Sequence, residues 1–370
     1  MEQTKTATRD YPSLSRTPWS IWDTLYGRRS HRKFLPGEAD PGLPGRLREV
    51  VDLASGVRGA APGTLLVVVE SERVERLKGR LHKGMQGKIN LWLGRSPLLG
   101  FLALSLPRDD VKSERPRELP LASMAAEDAV LWLTEAGFGT CWLGGINQRE
   151  ARAALGLEGD RYVPAVIPFG IPKGRVKAAD VDHVLYRAIS RKRKPLQAIA
   201  SEEKMGRPYA PLQYGRDVFS ASPRQDVRGL LEAMRERRES TGDAPVRLAV
   251  EACLEAARIS PSAGNAQKWH FVAVLEEEAL EGLAGLCGRG TRWRAAVVAA
   301  GDPDMSFLYS MMEKPFWMID VPIALSQMSL MAASMDLAVD VCVDGMDEAG
   351  IEDLVGLEPP LRTVGVLGLR

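Results

Sequence analysis

Apolar positions along this chain come in long mixed runs and short β-branched runs. The long runs predict helices over Pro44–Leu53, Leu121–Ala136, Arg247–Arg258 and Val321–Asp336. The short runs predict strands at Thr64–Val69, Ala165–Gly170, Phe271–Leu275, Ala296–Ala299 and Thr363–Leu367. Gly137 reads as the C-terminal cap of its helix. Asp320 reads as an N-cap, with Pro322 in the following first turn, where a missing N–H costs little. Each half of the chain thus mixes helices with a small sheet. Spacing alone leaves open whether the strands run parallel.

The pattern repeats. Gly137 to Gly145, a helical stretch and Gly156-Leu157 are followed by a strand. Leu337 to Gly345, a helical stretch and Gly356-Leu357 are followed by another. Gly145, Gly156 and Leu157 correspond to Gly345, Gly356 and Leu357 at a constant offset. Between the copies, Ser201–Asp226 is rich in proline, glycine and polar residues and reads as a connector. The expected organisation is a first half over 1–200, a linker over 201–226 and a second half over 227–370. A length of 370 residues suits two cores better than one.

Composition narrows the function classes. A formal net charge of +1 provides no global field for nucleic acid or an anionic membrane. The first twenty residues lack an apolar core, so no secretory signal is expected. The weakly polar stretch Val321–Met335 is too short to span a bilayer. Cys141, Cys253, Cys287 and Cys342 are scattered, which fits reduced thiols in a cytoplasm. The four histidines are isolated and no His-x-x-x-His pair occurs, so no metal site is expected.

Four segments carry candidate chemistry. Arg28-Arg29-Ser30-His31-Arg32-Lys33-Phe34 gathers arginines around a hydroxyl. Arginine's planar fork suits an anion because it donates two parallel hydrogen bonds and stays ionised. The plain alternative is a solvated charge run. Arg191-Lys192-Arg193-Lys194 is a second basic run, in which Arg191 and Arg193 alternate along an extended chain. Pro261-Ser262-Ala263-Gly264-Asn265 sets polar side chains among small residues that allow close backbone approach. Its plain alternative is a turn after a helix. Gly144-Gly145 is either a tight turn or a place where side chains must be absent.

Together, the basic segment and the Pro-Ser-x-x-Asn segment resemble the FMN-dependent nitroreductase family, including a subgroup with two nitroreductase-like halves in one polypeptide. The resemblance runs from Trp22 to Arg370. It implies an α+β fold of two copies fused as an intrachain pseudo-dimer, with mostly antiparallel sheets surrounded by helices. In that family one subunit supplies the basic segment and the other the Pro-Ser-x-x-Asn segment.

The resemblance implies one FMN per chain. Arg28, Arg29, Ser30, Arg32, Gly144, Gly145, Arg191 and Arg193 would hold it from the first half. Pro261, Ser262, Ala263 and Asn265 would hold it from the second. It also implies hydride transfer from NADH or NADPH through flavin N5 to a nitroaromatic, quinone or similar small acceptor, by a ping-pong scheme. No side-chain nucleophile or acid–base pair is demanded. His31 and His270 read as structural. Phe307–Met312 and Phe316–Met318 are candidate pocket walls, as is Leu81–Arg95, although core packing accounts for most such residues.

One departure is Lys268, where the family usually has proline; it would be exposed or would approach the flavin. The pseudo-symmetric second site reads as eroded. Arg237-Arg238-Glu239-Ser240-Thr241 puts Glu239 at the serine position, where a carboxylate would repel a phosphate. Gly56–Gly63 lacks serine and asparagine, Asp344 stands opposite Gly144, and no basic tail follows Arg370. The expected unit is a monomer or weak homodimer. The competing readings are a flavin binder without turnover and a non-catalytic scaffold.

Overall fold

The computed structural model describes residues 20–38, 40–174, 192–211, 226–236, 244–304 and 314–370. The chain begins with α1 (Ile21–Gly27), β1 (Phe34–Leu35), α2 (Leu43–Arg58), β2 (Leu65–Val68), α3 (Ser71–Leu81) and α4 (Gly84–Gly87). It continues through β3 (Gly100–Leu104), β4 (Leu106–Pro107), α5 (Arg108–Lys112), α6 (Glu118–Glu135), β5 (Gly139–Thr140), α7 (Gln148–Leu155), β6 (Arg161–Tyr162) and β7 (Val166–Pro172). Next come β8 (Ala200–Glu202) and α8 (Val227–Arg235). The second series is α9 (Val246–Ile259), β9 (Trp269–Val274), α10 (Glu277–Leu286), β10 (Ala295–Gly301), α11 (Trp317–Ser334), β11 (Val339–Cys342), α12 (Glu348–Val355) and β12 (Arg362–Leu369).

The two series build the same sheet twice. The strand order β5-β7-β3-β2 of the first sheet recurs as β11-β12-β10-β9 in the second. These pairings are antiparallel, with Leu102 opposite Ile167 in one sheet and Val298 opposite Val366 in the other. The exception is β8, which leaves the first series and adds to β9 in parallel. Every residue of β3 and of β10 is buried. Covered on both faces, these strands read as continuous apolar runs rather than alternating ones. The fold is α+β, one helix-and-sheet arrangement present twice and fused into a pseudo-dimer within one chain.

Predicted and observed elements differ mainly at their ends. The helix placed at Pro44–Leu53 extends to Arg58, where Gly59 adopts the left-handed φ of 72° that ends it. Gly137, at φ 86°, ends α6 in the same way. The largest correction concerns α11. It starts at Trp317 after an N-cap at Phe316, so Asp320 lies inside its first turn and Pro322 inside the helix. Burial of Trp317, Met318 and Ile319 rewards the extra turn, against the one hydrogen bond that Pro322 forfeits.

The copies meet along α6 and α11, and every residue of α11 is buried. Gln327 Nε2 donates to Glu127 Oε1 at 2.7 Å, and Ser326 Oγ donates to Asp128 Oδ1 at 2.7 Å. Counting back from the left-handed residues Gly137 and Asp336, Glu127 and Ser326 are each ten residues away, and Asp128 and Gln327 nine. Each position thus pairs with the other position's counterpart, which is the exchange a two-fold axis produces between identical subunits. Arg58 completes the cluster, bidentate to Asp128 at 2.7 and 2.9 Å and bonded to Ser329 Oγ at 2.8 Å.

No helix among the described residues is long and apolar enough to cross a membrane. No metal-binding cluster occurs among them either.

Candidate functional site

The basic segment follows α1. Ser20 and Asp23 start that helix with reciprocal capping bonds. The chain then runs beside β5, with a bridge between Ser30 and Thr140 and a bond from His31 N–H to Thr140 O at 2.8 Å. Arg28 is buried, while Arg29 and Ser30 are exposed and Arg32 is half-buried. Burial holds the Arg28 guanidinium below its ordinary pKa, with Glu127 pulling the other way. Arg28 Nε and Thr140 Oγ1 are both buried and have no hydrogen-bond partner among the described residues. His31 is pushed down to about 4 by burial and then by Arg28 and Arg29, so it is neutral at physiological pH.

The second-half segment follows α9. Ser262 Oγ accepts from Gln267 N–H at 3.1 Å, which closes the loop on itself. Gly264, Asn265 and Gln267 all adopt positive φ, 55°, 52° and 51°. Left-handed backbone of this kind suits glycine and asparagine. Gln267 is fully buried and is the fastener of the loop. Its Nε2 donates to Asn265 O at 3.1 Å and to Lys192 O at 3.0 Å, and its Oε1 accepts from Lys194 N–H at 2.8 Å. Lys194 Nζ returns to Gln267 O at 2.9 Å.

Arg193 lies in the same strap. Its guanidinium donates to the carbonyls of Arg258, Ile259 and Ser260, capping α9 just before Pro261. Tyr26, in α1, reaches the same helix, its Oη donating to Glu255 at 2.6 Å. The strap Lys192–Lys194 and the Pro261–Asn265 loop are therefore locked together.

Gly144 and the Pro261–Asn265 loop share a third element, the segment 314–320. Ala263 N–H donates to both carboxylate oxygens of Asp320, at 3.1 and 3.0 Å. Lys314 Nζ donates to the carbonyls of Gly144 and Pro164. A Cβ on Gly144 would lie 2.6 Å from the Phe316 ring, so only glycine lets this backbone reach that ring. Gly145 O accepts from Asn90 Nδ2 at 2.6 Å. Burial pushes Asp320 up to about 7 and Lys314 down to about 7. Burial also raises Glu127 to about 7, against Arg28, Gln327 and Trp142, whose indole donates to it at 2.8 Å.

Lys314 and Glu127 carry no motif, and the sequence reading missed both. Their signal was a charged side chain inside an apolar or aromatic run, which is rare in a core unless it is paired. Lys268 is half-buried and its Nζ pairs with Asp302 at 2.7 Å and donates to Asp304 O. His270, bonded to Ser201 Oγ at 2.8 Å, is pushed down to about 4 by burial and then by Lys194.

Arg191, Arg237–Thr241 and Phe307–Met312 lie outside the described residues. At the pseudo-symmetric position, Asp344 is engaged by Arg117 at 2.6 Å, and Arg115 pairs with Glu348 while bonding Thr363 O at 2.7 Å.

A family model described as "Putative TM nitroreductase" matches residues 122–209, and one described as "Nitroreductase family" matches residues 241–292. Among curated proteins, none matches the chain significantly. The fold is similar to a "putative nitroreductase" of Thermotoga maritima at 16% identity and TM-score 0.43, covering 97% of this chain and 98% of that one. It is similar to a "putative nitroreductase" of Anabaena variabilis at 11% identity and TM-score 0.48, covering 96% and 90%. An FMN-dependent nitroreductase of Clostridium difficile aligns at 22% identity and TM-score 0.32, covering 44% of this chain and 94% of that one.

Proposed function

Since both halves of the chain carry nitroreductase-family sequence, we propose that it is a flavin-dependent oxidoreductase with one FMN site per chain, built from both halves. The observation that carries this reading is the lock between the strap Lys192–Lys194 and the loop Pro261–Gln267. Together with the bond from Tyr26 Oη to Glu255 at 2.6 Å, it supports one site shared by the basic segment after α1 and the Pro-Ser-x-x-Asn loop after α9.

The described residues fit an anionic cofactor. Arg28 Nε and Thr140 Oγ1 are buried donors awaiting an acceptor, and a phosphate supplies acceptors and opposite charge together. Arg29, Ser30 and Arg32 follow on the same segment and would complete the anion's shell; the family resemblance also assigns Arg191 to it. The left-handed loop Gly264–Gln267 presents backbone groups to a polar ring edge, and Asn265 adds an amide. Gly144 and Gly145 would bring backbone groups, rather than side chains, to the cofactor, with the Phe316 ring packed against Gly144.

When bound, the flavin would supply two-electron chemistry, taking hydride at N5 from NADH or NADPH and passing electrons to a nitroaromatic, quinone or similar acceptor. The protein's part is to bind, orient and set polarity. Asp320 fixes the Ala263 backbone, Lys314 fixes the Gly144 carbonyl, and both stand in a dry setting. A monomer or weak homodimer suffices because the interface between copies is intramolecular. The four cysteines of the described chain are free, in keeping with a cytoplasmic setting.

The test is the flavin content of the purified, FMN-reconstituted chain together with NAD(P)H consumption. We expect one FMN per polypeptide, held more weakly after Arg28→Ala or Asn265→Ala. Two per chain would mean that the second site works, and none would overturn the oxidoreductase reading.

A further inference from the structure

Lys314 is a buried cation, and no carboxylate among the described residues pairs with it. Its Nζ lies between the carbonyls of Gly144 and Pro164, 5.0 Å from the centre of the Phe316 ring. Buried charges are ordinarily paired, because an uncompensated one gives up its hydration without return.

The pseudo-symmetric position has the partner that Lys314 lacks. Arg115 precedes Gly137 by the same twenty-two residues that separate Lys314 from Asp336, and each cation crosses to the other copy. Arg115 donates to Thr363 O at 2.7 Å near the start of β12, as Lys314 donates to Pro164 O just before β7. Arg115 is met there by Glu348 and Glu352, the first and fifth residues of α12. The first and fifth residues of α7 are Gln148 and Arg152, and neither is a carboxylate. Two residues further on, Arg117 pairs with Asp344 at 2.6 Å, whereas Phe316 packs on Gly144. The chain neutralises one crossing itself and leaves the charge of the other uncompensated.

The same grip orients a donor. The Gly144–Gly145 peptide is trans, so the Gly145 N–H points away from the carbonyl that Lys314 holds. Buried Asn90 holds the next carbonyl, Gly145 O, at 2.6 Å. Gly145 is buried, and its N–H has no hydrogen-bond partner among the described residues. Resting on the flavin reading above, we propose that Lys314 is a positioning residue for an electron-rich cofactor ring. It fixes the Gly145 N–H as a donor to that ring and keeps an uncompensated positive charge beside the Gly144 backbone. Reduction adds negative charge to an isoalloxazine ring, so both effects favour the reduced state over the oxidised one.

The test titrates FMN into the full-length chain, once in air and once anaerobically after dithionite reduction, and compares the two Kd values. Lys314→Met is expected to weaken reduced FMN about tenfold more than oxidised FMN, equivalent to about 30 mV of two-electron potential. Lys314→Arg supplies the cation that Arg115 supplies at the other crossing, and it is expected to keep the wild-type ratio. Lys314→Gln retains an N–H donor for the carbonyls without the charge. It is expected to lose the preference as the methionine variant does, and it carries the test if that variant does not fold. Equal weakening in the two states, in either neutral variant, would make Lys314 a structural clamp and overturn the proposal. A wild type that binds FMN in neither state would overturn the flavin reading and this inference with it, an outcome distinct from an unaltered ratio.

Discussion

Asp320 is a carboxyl group held in a fully packed helix, and its environment makes it a pH-dependent contributor to stability. Its folded pKa, about 7, lies above its ordinary value of 3.8 because burial disfavours the charged form. Between those values the folded state holds a proton that the unfolded state has released. Stability from this group is therefore full below about pH 4 and is lost as pH rises to about 7. The linkage is worth on the order of 4 kcal/mol over the window. We expect Asp320→Asn to flatten the fall in unfolding free energy between pH 4.5 and 7.5. Equal slopes in denaturant titrations of variant and wild type would show that Asp320 is not the group responsible. Glu127, raised for the same reason, adds a parallel slope of its own.

Arg28 makes a different prediction at the same scale. Removing this buried cation relieves its own desolvation penalty and takes the opposing charge from Glu127, two effects of opposite sign that leave the apo fold little changed. FMN affinity, in contrast, loses a charge-assisted contact worth about 2 kcal/mol, or roughly thirtyfold in Kd. Flavin titration and thermal melting of Arg28→Met separate the two effects. A variant that melts much earlier without FMN would show Arg28 to be structural. The arginines were legible in the sequence as a basic run, but nothing in the run told buried Arg28 from exposed Arg29. Only packing against α6 and β5 makes that distinction.

At the scale of elements, the strap and the loop act as one unit. Gln267 makes bonds to Lys192, Lys194 and Asn265 while fully buried. Its replacement by alanine leaves buried backbone groups unmet, at a cost of about 2–3 kcal/mol. We expect Gln267→Ala to lower the denaturation midpoint and to speed tryptic cleavage after Lys192 and Arg193. Unchanged cleavage would mean that the bonds of Arg193 to the end of α9 and the pairing of β8 hold the strap without Gln267. The helices were legible because their apolar runs are long. The ends of α11 were not, since a helix buried on all sides has no polar face to mark its limits. The pairing of β8 with β9 was equally hidden, because three residues carry no signal of partner or direction.

At the scale of the whole molecule, one core joins the copies. It includes Leu47 and Leu131 from the first series and Leu325, Met328 and Leu367 from the second. Two smaller cores stay within single copies. Because the shared core is the largest and α11 lies inside it, neither copy keeps its interior without the other. We expect one cooperative unfolding transition, coincident by tryptophan fluorescence and far-ultraviolet circular dichroism. Two separated transitions would show the copies to be independent domains. Arg58→Ala bears on the same interface: it strands Asp128 in the shared core and is expected to cost about 3–5 kcal/mol by chemical denaturation.

The sequence by itself determined the repeat, the helix and strand types and the identity of the motif segments. Those properties are local: a turn needs its glycine and a buried strand needs its apolar run, wherever the rest of the chain goes. Tertiary structure alone decided the antiparallel sheets, the crossing of β8, the burial of Arg28 and the raised pKa values of Asp320 and Glu127. It also set Arg193 as the cap of α9. Each of these depends on which groups lose water and which partners replace it. That exchange is fixed only when segments far apart in the chain are packed together.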